Sequence, residues 1–82
     1  MPLTVESLYK VRSMRGLSLY DIARLAGVSE SYISKIEKGQ RPLTAKLARK
    51  IIEKLDLTPD RLEQLVRAYD EFNYGGLRYK RK

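Results

Sequence analysis

The chain has 82 residues, no cysteine and no histidine, and its formal net charge at pH 7 is +7. A chain of this length forms one small domain that buries roughly 60% of its unfolded surface, which leaves little room for a deep catalytic pocket. The lack of cysteine and histidine excludes disulfides, thiol nucleophiles and most zinc or haem sites, so we expect no enzyme, no metal and no cofactor.

The first predicted helix starts after Thr4, whose side chain can cap it, and stops at Gly16, which suits a left-handed cap. Apolar residues at helical spacing mark its inward side: Val5, Leu8, Val11 and Met14. The second helix starts after Ser18 and ends at Gly27, and Asp21 completes a capping box with Ser18.

Three further helices follow. Ser29 caps the third, which ends at Gly39, and a loop containing proline leads to the fourth, which Thr44 caps. Thr58-Pro59 starts the fifth. The apolar residues of the last two helices are Leu47, Ala48, Ile51, Ile52, Leu55, Leu62, Leu65, Val66, Tyr69 and Phe72. No segment alternates as a β-strand does, so the predicted fold is all-α: a compact five-helix domain over residues 1–73 and a basic tail at 74–82.

The second and third helices have the spacing of a helix-turn-helix. Two short helices joined by about four residues that include a glycine form a pair held near a right angle. Ala23 is small where the helices cross, and Gly27 supplies a backbone angle that costs other residues free energy. The other apolar residues fill the angle from inside: Ile22, Ala26, Val28, Ile33 and Ile36.

The outer side of the third helix is predicted to enter the major groove of DNA. Four polar side chains recur at i, i+3, i+4 and i+7 and share one face: Ser31, Ser34, Lys35 and Lys38. Serines keep this face thin enough for a groove about 12 Å wide, and a lysine can donate to guanine. Base reading is therefore assigned to Glu30, Ser31, Ser34 and Lys35. The alternatives are ordinary solvated surface and, for Glu30, simple neutralisation of the helix N-terminus.

Glu37 is predicted to turn inward at the end of the third helix, because it follows Ile33 by four residues. A partly buried carboxylate needs a partner, and Arg12 of the first helix can reach the same region. The sequence therefore predicts an ion pair between Arg12 and Glu37, with a solvated Glu37 at a frayed helix end as the alternative. Tyr32 is assigned to contact either the DNA backbone or the edge of the core.

Residues 8–57 resemble the Cro/phage-repressor type of helix-turn-helix domain, also called XRE-like. The most specific pieces are R-G-L-S at 15–18, I-A-x-x-A-G-V-S at 22–29 and I-S-K-I-E-K-G at 33–39. The resemblance implies a five-helix fold whose third helix reads the major groove, often as a dimer on a two-fold site. It also implies base reading at the four positions named above and the pair between Arg12 and Glu37.

The resemblance further implies phosphate contacts at the start of the second helix and in the loop after the third. The family usually has a glutamine at the position of Leu19, and a leucine cannot donate that hydrogen bond. Neighbouring side chains or free backbone N–H groups must replace it. The residues assigned to phosphate contact are Ser18, Tyr20, Ser29, Tyr32, Lys38, Gln40 and Arg41.

Charge is unevenly distributed along the chain. Residues 1–50 hold ten Lys or Arg against four Asp or Glu, residues 51–73 hold three against six, and residues 74–82 hold four against none. Basic surfaces attract nucleic acids or acidic membranes, so the acidic part is expected to face away from bound DNA. The basic tail can be disordered surface, follow DNA, or pack on a partner.

The apolar stripe of the fifth helix is wider than a small core requires. Either all of it is core, or Leu65, Tyr69 and Phe72 form the interface of a homodimer. The features together predict a sequence-specific DNA-binding transcriptional regulator, expected to be a repressor, with double-stranded DNA and a second copy as partners. The alternative is a protein–protein adaptor, such as an antitoxin, on the same fold.

No apolar run approaches the roughly 20 residues that cross a bilayer, and the N-terminus lacks the basic-then-apolar layout of a signal peptide. We therefore expect a soluble cytoplasmic protein, associated with the nucleoid when bound to DNA. No membrane partner and no small-molecule ligand are predicted.

Overall fold

A computed structural model describes residues 3–74, which form five α-helices. They are α1 (Val5–Met14), α2 (Leu19–Ala26), α3 (Glu30–Glu37), α4 (Ala45–Leu55) and α5 (Pro59–Tyr74). Residues 3–74 contain no strand, and the predicted all-α, five-helix class is confirmed. Tyr74, placed in the tail by the sequence, is the last residue of α5, and the rest of the predicted tail, residues 75–82, lies outside the described residues.

The first four helices start at the capping residues that the sequence predicts. In each, a side-chain oxygen accepts a backbone N–H of the first turn, and the caps are Thr4, Ser18, Ser29 and Thr44. Ser18 and Asp21 form the predicted capping box, with reciprocal hydrogen bonds of 2.9 and 3.0 Å. The start of α1 holds a second capping box, in which Ser7 replaces the usual glutamate or glutamine. The hydroxyl of Ser7 is buried and satisfied by Thr4.

Residues with left-handed backbone angles end α2 and α4. Gly27 follows α2 at φ 72°, as the sequence predicts. Asp56 follows α4 at φ 54° and is the only non-glycine residue with positive φ in the described part of the chain. Its N–H donates toward the carbonyls of Ile52 and Glu53. Aspartate tolerates this conformation better than branched residues do.

One apolar core joins all five helices. Its most deeply buried members are Leu8, Val11, Ile22, Ile33, Ile36, Ile51 and Leu62. Leu3 and Leu57 also belong to the core although they lie outside the helices, where helical spacing gives no signal. Met14, which the sequence places on the inward side of α1, is exposed instead and is the last residue of that helix.

The helix contacts place α3 between two neighbours. It packs against α2 through the turn and against α1, while α4 packs on α2, and α5 packs on α1. The acidic α5 therefore contacts α1, which in turn packs against α3. No helix within residues 3–74 is long and apolar enough to cross a membrane.

Candidate nucleic-acid interface

The turn between α2 and α3 fixes the inner side of the third helix. Gly27 adopts its left-handed conformation, and the N–H of Val28 donates to the carbonyl of Ala23 at 3.0 Å. Val28 then packs against the core. Behind the turn, the inward residues of both helices are buried: Ile22, Ala23, Ala26, Ile33 and Ile36. This packing leaves α3 no freedom to rotate its outer face into the protein.

The outer face of α3 is open at three of the four predicted base-reading positions. Glu30, Ser31 and Lys35 are exposed, whereas Ser34 is half-buried. None of these four side chains forms a hydrogen bond or an ion pair with another residue of the described chain. Their donors and acceptors are therefore free to bind a ligand.

The residues predicted to contact phosphate differ in exposure and in hydrogen bonding. Four of them are exposed and extend from the protein: Tyr20, Lys38, Gln40 and Arg41. Ser18 and Ser29 are engaged as helix caps, in which each hydroxyl oxygen accepts a backbone N–H. The hydroxyl of Ser29 can still donate its hydrogen, whereas the hydroxyl of Ser18 is also engaged with the carboxylate of Asp21. Tyr32 is half-buried and packs against the core, so it lies at the core edge, which was one of the two predicted positions.

The outer side of α2 carries a cation that the sequence argument did not single out. The guanidinium of Arg24 lies 5.8 Å from the ring centre of Tyr20, and its Nη1 is 3.4 Å from the tyrosine hydroxyl. Arg24 was missed because its contact with Tyr20 depends on the two rotamers and not on spacing alone. Leu19, at the family's glutamine position, packs against the core.

Arg12 and Glu37 form a bidentate ion pair that joins α1 to the end of α3. Nε and Nη2 of Arg12 donate to the two carboxylate oxygens of Glu37 at 2.8 and 2.9 Å. Nη1 donates to the carbonyl of Leu17 at 3.0 Å, and the ring of Tyr9 lies 5.4 Å from the guanidinium. The hydrogen bonds that Arg12 donates to Glu37 raise the pKa of Arg12 above its ordinary value. Only 17% of the Arg12 side chain and 12% of the Glu37 side chain are exposed, so the end of α3 is not frayed.

An aromatic surface lies on α1 and α5. The rings of Tyr9 and Tyr69 meet edge to face with centroids 6.0 Å apart, and Phe72, one turn after Tyr69, is 62% exposed. Lys10 Nζ donates to Asp70 Oδ1 at 2.7 Å beside them. We refer to Tyr9, Tyr69 and Phe72 as the aromatic surface. Of the predicted dimer residues, Leu65 instead packs partly against the core.

One comparison relates the chain to known proteins. A family model described as a helix-turn-helix matches residues 8–70, which is more than half of the chain and includes all of the segment 8–57. The matched region contains α2, α3 and α4 completely, together with most of α1 and α5. A search of curated proteins returned no match.

Proposed function

We propose that this chain, which belongs to the Cro/C1-type helix-turn-helix family of DNA-binding regulators, is a sequence-specific transcriptional repressor. In this proposal α3 enters the major groove, and phosphate contacts fix its register along the duplex. Occupation of the site then blocks polymerase. The observation that carries the proposal is the outer face of α3, where Glu30, Ser31 and Lys35 are exposed and unengaged while Ile33 and Ile36 hold the opposite side in the core.

Each base-reading residue has a distinct chemical role in the proposal. Lys35 donates to the O6 and N7 acceptors of guanine, and Glu30 accepts from the amino group of cytosine. Ser31 and Ser34 donate or accept with either base. The residues assigned to phosphate hold α3 in place without selecting sequence: Ser18, Tyr20, Ser29, Tyr32, Lys38, Gln40 and Arg41.

The test is selection of bound duplexes from random DNA, followed by comparison of two lysine variants. Lys35→Ala should relax the preference at one base pair and cost about 1–3 kcal/mol on the selected duplex. Lys38→Ala, from the same helix, should weaken selected and random duplexes equally and lower the salt slope by about 1. Equal effects of the two variants would remove Lys35 from base reading. Failure to enrich any sequence would reject the proposed function.

We also propose that the repressor is a homodimer in which the aromatic surfaces of two copies meet. A dimer would place its half-sites about one helical turn apart and would select a palindromic sequence. Repeating the selection without residues 74–82 shows whether the basic tail affects which sequence is selected. Loss of those four cations should lower affinity for all duplexes while leaving the selected consensus unchanged.

The second candidate function is a protein–protein adaptor, such as an antitoxin, and the exposed aromatic surface favours it. In that case Tyr9, Tyr69 and Phe72 would contact a different protein, and Lys35→Ala would leave the partner bound as before. Random-DNA selection distinguishes the two functions, since an adaptor without DNA recognition enriches no sequence.

A further inference from the structure

A cleft of about 300 Å³ lies between the turn after α2 and the beginning of α4. Its walls include Gly27 and Val28 of the turn, Tyr32 of α3, and Lys46 and Lys50 of α4. None of its lining residues is acidic. The cleft therefore combines two positive charges with no compensating negative charge.

Lys46 and Lys50 are separated by one helical turn and lie on the same side of α4. Both are exposed, and neither forms an ion pair or a side-chain hydrogen bond with any other residue between 3 and 74. Like charges at this spacing repel each other, so an anion between them would relieve an unfavourable interaction. Lys10 and Arg12, by contrast, are each paired with a carboxylate.

The amine of Lys50 lies close to the helix-turn-helix itself. A Cβ built on Gly27 would stand only 3.3 Å from Lys50 Nζ, so the ammonium group lies against the backbone of the turn. The hydroxyl of Tyr32, in the same cleft, also has no hydrogen-bond partner in the described part of the chain. Two lysine side chains and one tyrosine side chain thus line one small space.

We infer that this cleft binds a phosphodiester group of the DNA backbone beside the groove that α3 enters. The inference rests on the proposed function. An α-helix with its side chains is about 10–12 Å wide and the major groove is about 12 Å wide, so the flanks of a helix in the groove lie against the bordering phosphates. Tyr32 follows Ser31 directly but sits at the boundary between the outer face of α3 and the core, which is such a flank.

The chemistry of the cleft fits phosphate better than a base edge. Lys46 and Lys50 belong to α4 and not to α3, so they lie outside the face assigned to base reading. Ammonium groups bind phosphate as point charges and release counterions when they do so. The cleft should therefore contribute affinity and salt dependence without sequence preference.

The test compares two double variants of the full chain on the selected duplex. Lys46→Gln/Lys50→Gln removes both charges of the cleft. Arg49→Gln/Lys54→Gln is the matched control, because it removes two exposed cations from the same helix that do not line the cleft and have no partner within residues 3–74. Binding is measured by fluorescence anisotropy over a range of salt concentrations, and thermal unfolding checks that both variants fold.

The cleft variant should lower the slope of log K against log[salt] by about 0.9 for each bound copy, since the cleft neutralises one phosphate and each neutralised phosphate contributes about 0.9. It should weaken selected and random duplexes by the same factor. The control should change the slope much less. Replacing single phosphates of the duplex by neutral methylphosphonates should reveal one linkage for each bound copy whose replacement weakens binding by the wild type but not by the cleft variant.

Three outcomes would overturn the inference, and they differ in meaning. A cleft variant that matches its control, on a duplex that the wild type binds, rejects the cleft and leaves the proposed function intact. A wild type that binds no duplex rejects the proposed function and the cleft with it. Backbone amide shifts at Lys46 and Lys50 with inorganic phosphate alone, together with no methylphosphonate effect, would assign the cleft to a small anion.

Discussion

Arg12 and Glu37 connect the stability of the domain to the position of α3. Their two hydrogen bonds are charge-assisted and largely shielded from water, so removing one partner leaves the other charge partly buried. Arg12→Met should therefore lower the free energy of unfolding by about 2 kcal/mol, measured by urea denaturation. Glu63→Gln is the control, because its pair with Arg67 is exposed and should contribute less than about 0.5 kcal/mol. Equal losses of unfolding free energy in the two variants would show that the buried pair stabilises the domain no more than the exposed pair does.

The capping box of α2 predicts how the stability of the domain changes at acidic pH. The backbone N–H of Ser18 and then its hydroxyl group lower the pKa of Asp21 below its ordinary value. A carboxyl whose pKa is lower in the folded state stabilises that state above the unfolded pKa, and the contribution disappears as pH falls through the folded value.

An NMR titration should therefore give Asp21 a midpoint below 3.8, its ordinary pKa. Ser18→Ala removes the hydroxyl and keeps the backbone N–H, so it should return the midpoint only part of the way. Asp21→Asn should abolish this part of the acid dependence of α2. A midpoint at or above the ordinary value would contradict the capping box.

At the scale of helices, the capping residues and glycines made most boundaries predictable. Ser18, Ser29 and Thr44 lie directly before apolar periodic segments, and Gly27 adopts the expected left-handed angle. The end of α4 was different, because Asp56 takes the place where a glycine would have given a signal. A left-handed residue after a helix can be a glycine or an aspartate, and only the glycine is a clear signal in the sequence.

Asp56 provides a test of that backbone conformation. Asp56→Val should lower the free energy of unfolding by about 1–2 kcal/mol, because a β-branched residue is strained at φ 54°. Asp56→Gly should cost nothing or gain a few tenths of a kcal/mol, although it loses an exposed ion pair with Arg61. Thermal unfolding measures both. Asp60→Val, in the first turn of α5, is the control for replacing an exposed aspartate. If it lowers the free energy of unfolding as much as Asp56→Val does, the backbone angle at residue 56 is not the cause.

At the scale of the whole molecule, the sequence predicted which faces are apolar and how the first three helices meet, but not the contacts that α4 and α5 make. Spacing within one helix is enough to predict that Ile33 and Ile36 are buried and that the opposite face of α3 is open. It is not enough for the aromatic surface, because Tyr9 and Tyr69 are 60 positions apart and meet only when α5 packs on α1. The cleft was missed for the same reason, since Lys50 reaches the turn at Gly27 only through the packing of α4 on α2.

The aromatic surface carries the last prediction, on the proposed homodimer. Phe72 is 62% exposed, so Phe72→Ala should leave the free energy of unfolding of the monomer nearly unchanged. If the ring fills a pocket on a second copy, its loss should weaken the dimer about tenfold or more, as truncation of an interface aromatic commonly does. Sedimentation equilibrium measures the association. Tyr20→Ala is the matched control, because Tyr20 is also exposed, at 52%, but lies on α2. A wild type that stays monomeric, or a dimer that both variants weaken equally, would leave the aromatic surface to a different protein and favour the adaptor.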